Sequence, residues 1–135
     1  MIHLTPEQHV FVTERHLATL ATSRPDGTPH VVPVGFTWDP DAGLLRITTR
    51  DASAKVRNIE AARERLGVAH GAVCQVDGGR WLTLEGTLTV SRDPEEVTDA
   101  MRRYALRYRQ LEHDPRRIVL RLAVTRVMGS DYMTR

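Results

Sequence analysis

The sequence has little cysteine, lysine or aromatic content and no long apolar run, and each shortage closes off a class of protein. A single cysteine, Cys74, leaves no internal disulfide, so a reducing cytoplasm is the expected home. Cys74 lies in an alternating strand pattern and reads as a buried, inert thiol. No stretch approaches the roughly 20 apolar residues of a membrane span. The start, MIHLTPEQHV, lacks the basic segment and apolar core of a signal peptide. Aromatic residues make up only 5% of the chain, too few for the stacking surfaces on which single-stranded nucleic acid is held, so no nucleic-acid partner is expected. The six histidines show no H-x-x-x-H spacing and there is no C-x-x-C, which excludes the common metal sites. No G-x-S-x-G, phosphate loop or dinucleotide fingerprint is present. Any redox or transfer chemistry must therefore come from a bound cofactor.

What is present is an ordinary globular composition, 41% hydrophobic and 27% charged, in 135 residues that form one domain, 1–135. The formal charge is only +2, yet the cations are 18 arginines and one lysine. Codon usage in a GC-rich genome accounts for most of that bias. The lone lysine, Lys55, lies in the stretch LLRITTRDASAKVRNIEAARERL, residues 44–66. Its first part alternates Leu45, Ile47 and Thr49 against Leu44, Arg46 and Thr48, as a half-buried strand does. Its second part places Val56, Ile59, Ala62 and Leu66 at helical spacing. Ser53 is the expected N-cap. The junction thus brings Thr48, Thr49, Arg50, Ser53, Ala54 and Lys55 to a helix N-terminus, where free amides and the helix dipole favour an anion such as phosphate.

The rest of the chain reads as hairpins with single helices between them. Thr5 and Gln8 have capping-box spacing around Pro6, predicting a helix over residues 5–15. Residues 16–23 form a strand, RPDGTP a turn, and residues 30–38 a second strand. Pro33 within that strand puts it at a sheet edge or bulge. Asp77, Gly78 and Gly79 turn a hairpin between residues 68–76 and 80–91, and Leu82, Leu84, Leu88 and Val90 face away from Trp81, Thr83 and Glu85. Asp93 and Pro94 open a helix whose stripe is Val97, Met101, Tyr104, Tyr108 and Leu111, with Arg102, Arg103, Arg107 and Arg109 on the solvated side. Ile118, Leu120, Leu122 and Val124 alternate in a last strand. The expectation is a mainly β protein, a six-stranded antiparallel barrel with flanking helices.

The order L-A-T-L-A-T, D-G-x-P-H-V-V-P-V, I-T-T-R, S-A-K-V-R-N and W-L-T-L-E-G resembles the flavin-binding split β-barrel family that includes pyridoxamine 5'-phosphate oxidase. It is closer to the members that use the deazaflavin coenzyme F420, and QVDGGRWLTLEG with RVMGSD looks most like the F420-dependent biliverdin reductase type. The resemblance implies that the cofactor phosphate sits on Thr48, Thr49, Ser53, Ala54, Lys55 and Asn58. It implies that the cofactor ring lies along His30, Val31, Val32 and Pro33, and that a second subunit completes the groove through Gln75, Asp77 and Trp81. It also implies a homodimeric reductase passing hydride from F420 to a conjugated, acidic small molecule. An FMN-dependent oxidase is the alternative, since FMN also ends in a phosphate, and a non-catalytic flavin or tetrapyrrole binder is a third reading. The chain stops without the C-terminal extension that closes the vitamin site of the oxidases, which counts against pyridoxamine phosphate as substrate.

Overall fold

One expected strand becomes two, so the sheet has seven strands rather than six. The computed structural model describes residues 1–134. In chain order it contains α1 (Pro6–Thr13), β1 (Ala18–Ser23), β2 (Pro29–Val34), β3 (Thr37–Asp39), β4 (Leu44–Arg50), α2 (Ala54–Leu66), β5 (His70–Asp77), β6 (Arg80–Ser91), α3 (Pro94–Arg107) and β7 (Arg117–Gly129). The strands run β2-β1-β5-β6-β7-β4-β3, with every pairing antiparallel. The expected strand over residues 30–38 breaks at Gly35 and Phe36, and its halves become the two opposite edges of the sheet. The sheet is therefore a split barrel, closed in the chain but not in the hydrogen-bond ladder. Pro33 lies on edge strand β2, as its missing N–H requires.

The break is made by α3. At Gly35 a Cβ would come within 2.8 Å of the Tyr104 ring, so only glycine admits the two tyrosines at this point. The Phe36 N–H donates to the Tyr108 hydroxyl, and Arg107 donates to the Phe36 carbonyl. Backbone that would have joined a strand ladder is held by a helix instead. Arg107 also donates to the carbonyls of Glu14 and His16 and to Gln75 Oε1, and its guanidinium stacks on Phe36 and Tyr108. The solvated reading of Arg107 is thus wrong: it ties α3 to α1, β1, β5 and the β2–β3 crossing. Arg103 is also drawn in, pairing with Asp99 and Asp39.

Elsewhere the local rules hold. Thr5 and Gln8 form the capping box of α1, and the Gln8 side chain donates to Met133 C=O at 2.8 Å. The alternation of β4, β6 and β7 places Leu45, Ile47, Leu82, Leu84, Leu88, Leu120 and Leu122 in the core, each 2% exposed or less. A bulge opposite Glu85 and Gly86 lets β7 run on to Gly129 while keeping Val127 against that core. On α2, Val56 and Ile59 are buried, but Leu66 at the last turn is 67% exposed, so the stripe is shorter than its spacing suggested. Cys74 is only half-buried and stands on the outer face of the sheet. Among the described residues no helix is long and apolar enough to cross a membrane.

Candidate functional site: an anion anchor and a polar row

Strand β4 delivers Thr48 and Thr49 to opposite faces, so only Thr49 turns toward the start of α2. Thr49 Oγ1 lies 3.3 Å from Ser53 Oγ, and Ser53 Oγ accepts from the Val56 N–H at 3.4 Å as the N-cap. The next amide along, that of Arg57, donates to the Ser53 carbonyl. The amides of Ala54 and Lys55 have no acceptor among the described residues. Lys55 stands half-buried beside them, and burial pushes its ammonium below the ordinary lysine value with no charged group bearing on it. A cation drawn partly out of water without a counter-charge, at the positive end of a helix dipole, is an arrangement completed by an anion. Arg50 differs. Its guanidinium lies 3.1 Å from Asp114, a carboxylate that Arg116 also holds and keeps well below its usual range.

From this anchor a row of polar side chains runs inward. Asn58 stands one turn beyond Lys55 on the same helix face and is 7% exposed. Its Nδ2 donates to Thr22 Oγ1 at 3.2 Å, and Thr22 is itself 6% exposed. Thr22 pairs with His30 across β1 and β2, and the buried Nδ1 of His30 has no hydrogen-bond partner. Val32 packs on the core, whereas Val31 and Pro33 face outward. Beside this row an open hollow of about 450 Å³ spreads over the outer face of the sheet. Thr22, Ser23 and Pro29 bound it on one side, Ala21, Ala72 and Gly86 floor it, and Glu85 and Arg126 stand at its rim.

The three candidates from the β5–β6 hairpin lie elsewhere. Gln75 pairs with Ala18, four residues along β1 from Thr22, a separation of roughly 13 Å. It is 0% exposed, donates to the Phe11 carbonyl and accepts from Arg107. Gln75 is therefore part of the core and cannot meet a ligand; an amide in an alternating strand gave no sign of which face it took. Asp77 sits at the hairpin tip with Arg80, Glu14 and His16, where Arg80 bridges the two carboxylates. Trp81 is half-buried on the outer face, opposite exposed Val76, as its alternation with Leu82 predicted. Within the chain, then, Thr49, Ser53, Ala54, Lys55, Asn58 and His30 are brought together, and Asp77 and Trp81 are not.

Four similarities to known proteins bear on this arrangement. A family model described as pyridoxamine 5'-phosphate oxidase matches residues 4–130. An F420H2-dependent biliverdin reductase from Mycobacterium tuberculosis is 46% identical over 127 residues, covering 94% of this chain and 88% of that protein. A solved structure titled F420 reductase superposes with a TM-score of 0.71 at 26% identity, covering 89% of this chain and 94% of the other. A conserved hypothetical protein from Mycobacterium tuberculosis shares the fold, with a TM-score of 0.74 at 22% identity, over 98% of this chain and 87% of its own. A family match spanning nearly the whole chain, together with the split seven-stranded sheet, shows that the chain belongs to the pyridoxamine 5'-phosphate oxidase family of split β-barrels.

Proposed function

We propose that the protein is an F420-dependent reductase that works as a homodimer on a flat, conjugated acid, with biliverdin the first candidate. The observation that carries the reading is the 46% identity, over 94% of the chain, to an enzyme named for F420H2 and biliverdin. The anchor at α2 agrees with it: two free amides and an uncompensated Lys55 suit the phosphate that coenzyme F420 carries. Thr49 and Ser53 supply hydroxyls at the same point, and the edge strand β2, from His30 to Pro33, is the surface along which a planar ring would lie. Bound there, a reduced deazaflavin supplies hydride to a conjugated acceptor. The chain's part is to hold the phosphate, align the ring against β2 and offer an open surface to the substrate; the outer-face hollow is wide and shallow enough for a planar tetrapyrrole. Arg126 at its rim, 75% exposed and 3.8 Å from Glu85, would exchange that carboxylate for a propionate.

The dimer belongs to the same reading. Leu17, Val76 and Met128 are 62%, 58% and 44% exposed beside the half-buried Trp81, a run of apolar side chains on the outer face that a second copy would cover. It would also bring one protomer's Asp77 and Trp81 toward the other's anchor.

Two measurements test the proposal. Titration with F420 and with FMN should give tight binding of the deazaflavin, weakened in Lys55→Ala by about 1–3 kcal/mol, the range for a hydrogen bond to a charged group. A protein that purifies yellow with stoichiometric FMN would instead support the oxidase reading. Mixing protein, reduced F420 and biliverdin should oxidise the cofactor and bleach the biliverdin band together. Reduction of a quinone or enone with biliverdin untouched would keep the cofactor and dismiss the substrate.

A further inference from the structure

Strand β7 breaks its own alternation at one point. Val124 is paired with Gly86 and Arg126 with Glu85, so Thr125 is an extra residue without a partner on β6. Strict period two would send Thr125 outward, Arg126 into the core and Val127 outward. The bulge instead turns Thr125 and Arg126 out together and returns Val127 to the core. Gly86 is what admits it: a Cβ there would run into the Ala123 carbonyl oxygen, so no larger residue fits against β7 beside the bulge. The closing E-G of the stretch W-L-T-L-E-G therefore works as a pair, a glycine that permits the bulge and a carboxylate that faces the arginine it turns out.

Both exposed residues line the outer-face hollow. Ala21, Ala72, Glu85 and Arg126 are successive partners across β1, β5, β6 and β7, a row that crosses the hollow over roughly 14 Å. One end of the row carries two methyl groups, the other a carboxylate and a guanidinium. Glu85 is the only ionic partner of Arg126 among the described residues, and at 3.8 Å the two are too far apart for a hydrogen bond. So open an ion pair contributes little and exchanges readily. Glu85 marks the place that another carboxylate can take, with the Thr125 hydroxyl on the adjoining residue as a second donor.

We infer that the β7 bulge is the specificity element of the hollow: Arg126 and Thr125 together receive one carboxylate of the ligand in place of Glu85, while its flat body lies over Ala21 and Ala72. The inference rests on the reading of the hollow as the substrate surface, and it adds a direction and a requirement. The acid end lies at β7. The acid must also be free, because a neutral ester of the same shape leaves Glu85 on Arg126 and gains nothing there.

Biliverdin and its dimethyl ester share one body and differ only at the acid groups, so the pair isolates this contact. Binding of each to the full chain is read by quenching of tryptophan fluorescence, which needs no turnover. Wild type should hold the acid about three- to tenfold more tightly than the ester. Arg126→Ala should lower the acid to the affinity of the ester and leave the ester where it was. Arg126→Lys, which keeps the charge and loses the planar fork, should fall between them. Thr125→Val should lose a smaller part of the preference, and Glu85→Gln, with the competing charge removed, should bind the acid more tightly than wild type does. These side chains stand on the outer face of the sheet, so the substitutions leave the core packing intact. Equal affinity of wild type for acid and ester, no binding of either, or a preference that survives in Arg126→Ala overturns the inference. Oxidation of reduced F420 by biliverdin is followed separately: turnover without an acid preference would remove the bulge's role alone, whereas a preference lost in Arg126→Ala without turnover would keep that role and overturn the reductase reading.

Discussion

At Lys55 function and stability pull in opposite directions. Burial lowers its ammonium below the ordinary value of 10.5 without a carboxylate to compensate, so before an anion binds the charge destabilises the fold. The sign of the pH dependence follows. In the window just below 10.5 the unfolded chain holds more protons on this lysine than the folded chain does, so stability rises as pH climbs through that window. Lys55→Met should therefore be more stable than wild type in the ligand-free protein at neutral pH, and the difference should shrink toward about pH 10. Urea midpoints of both proteins across that range check it; a less stable Lys55→Met would mean that the lysine is held by contacts and not waiting for an anion. The same substitution should weaken F420 binding, the usual cost of removing a strained functional charge.

At the level of elements, the short strand β3 depends on two devices that attach it to α3. The first is ionic. Arg46, 10% exposed, donates to Asp39 at 2.7 Å and to Glu96 at 2.9 Å, joining the β3–β4 hairpin to the helix. Burial alone would raise both carboxyls, yet hydrogen bonds from Arg46 together with those from the Ala42 N–H to Asp39 and from Ser91 to Glu96 hold them below their ordinary values. Their contribution is complete above 3.8 for Asp39 and 4.5 for Glu96 and is lost as pH falls through the lowered values. Arg46→Met should therefore flatten the acid limb of the stability curve as well as lower it, by less than the about 3–5 kcal/mol of an unpaired buried charge, because Arg103 still stands 3.5 Å from Asp39 and Arg121 3.0 Å from Glu96. The second device is steric. Gly35→Ala would press a methyl group 2.8 Å from Tyr104, and about 1–3 kcal/mol of destabilisation is expected. Pairing it with Tyr104→Leu in a double-mutant cycle should recover part of the loss; simple additivity would place the strain elsewhere.

For the whole molecule, the outer sheet face is the feature to test. A row that contains Val76 and Trp81, bordered by Leu17 and Met128, is the apolar face that a second copy would cover in the proposed dimer. Val76→Glu should leave the barrel folded, since its side chain points away from the core, and should shift sedimentation from dimer to monomer. A monomeric wild type at micromolar concentration would remove the partner from the proposed groove and leave Asp77 and Trp81 without a role there.

Much of this was legible before any coordinates. Period two in β4, β6 and β7, the caps Thr5, Ser53 and Asp93, the Asp77–Arg80 hairpin with Gly78 at φ 59°, and the position of Lys55 at a helix start are all set by neighbours a few residues apart. Local sterics and capping chemistry decide such features, so the sequence alone determined them, and with them the helix start proposed to hold an anion. The split of residues 30–38 into two edges, the core position of Gln75 and the clamp made by Arg107 belong to another class. Each depends on which distant backbone carbonyls and rings arrive beside it: Tyr104 over Gly35, Phe11 C=O over Gln75, Phe36 C=O over Arg107. Arg107 follows Ala100 and Tyr104 at helical spacing, so it stood on the buried side of α3 all along, but only the packed helix decided that its charge would meet carbonyls instead of water.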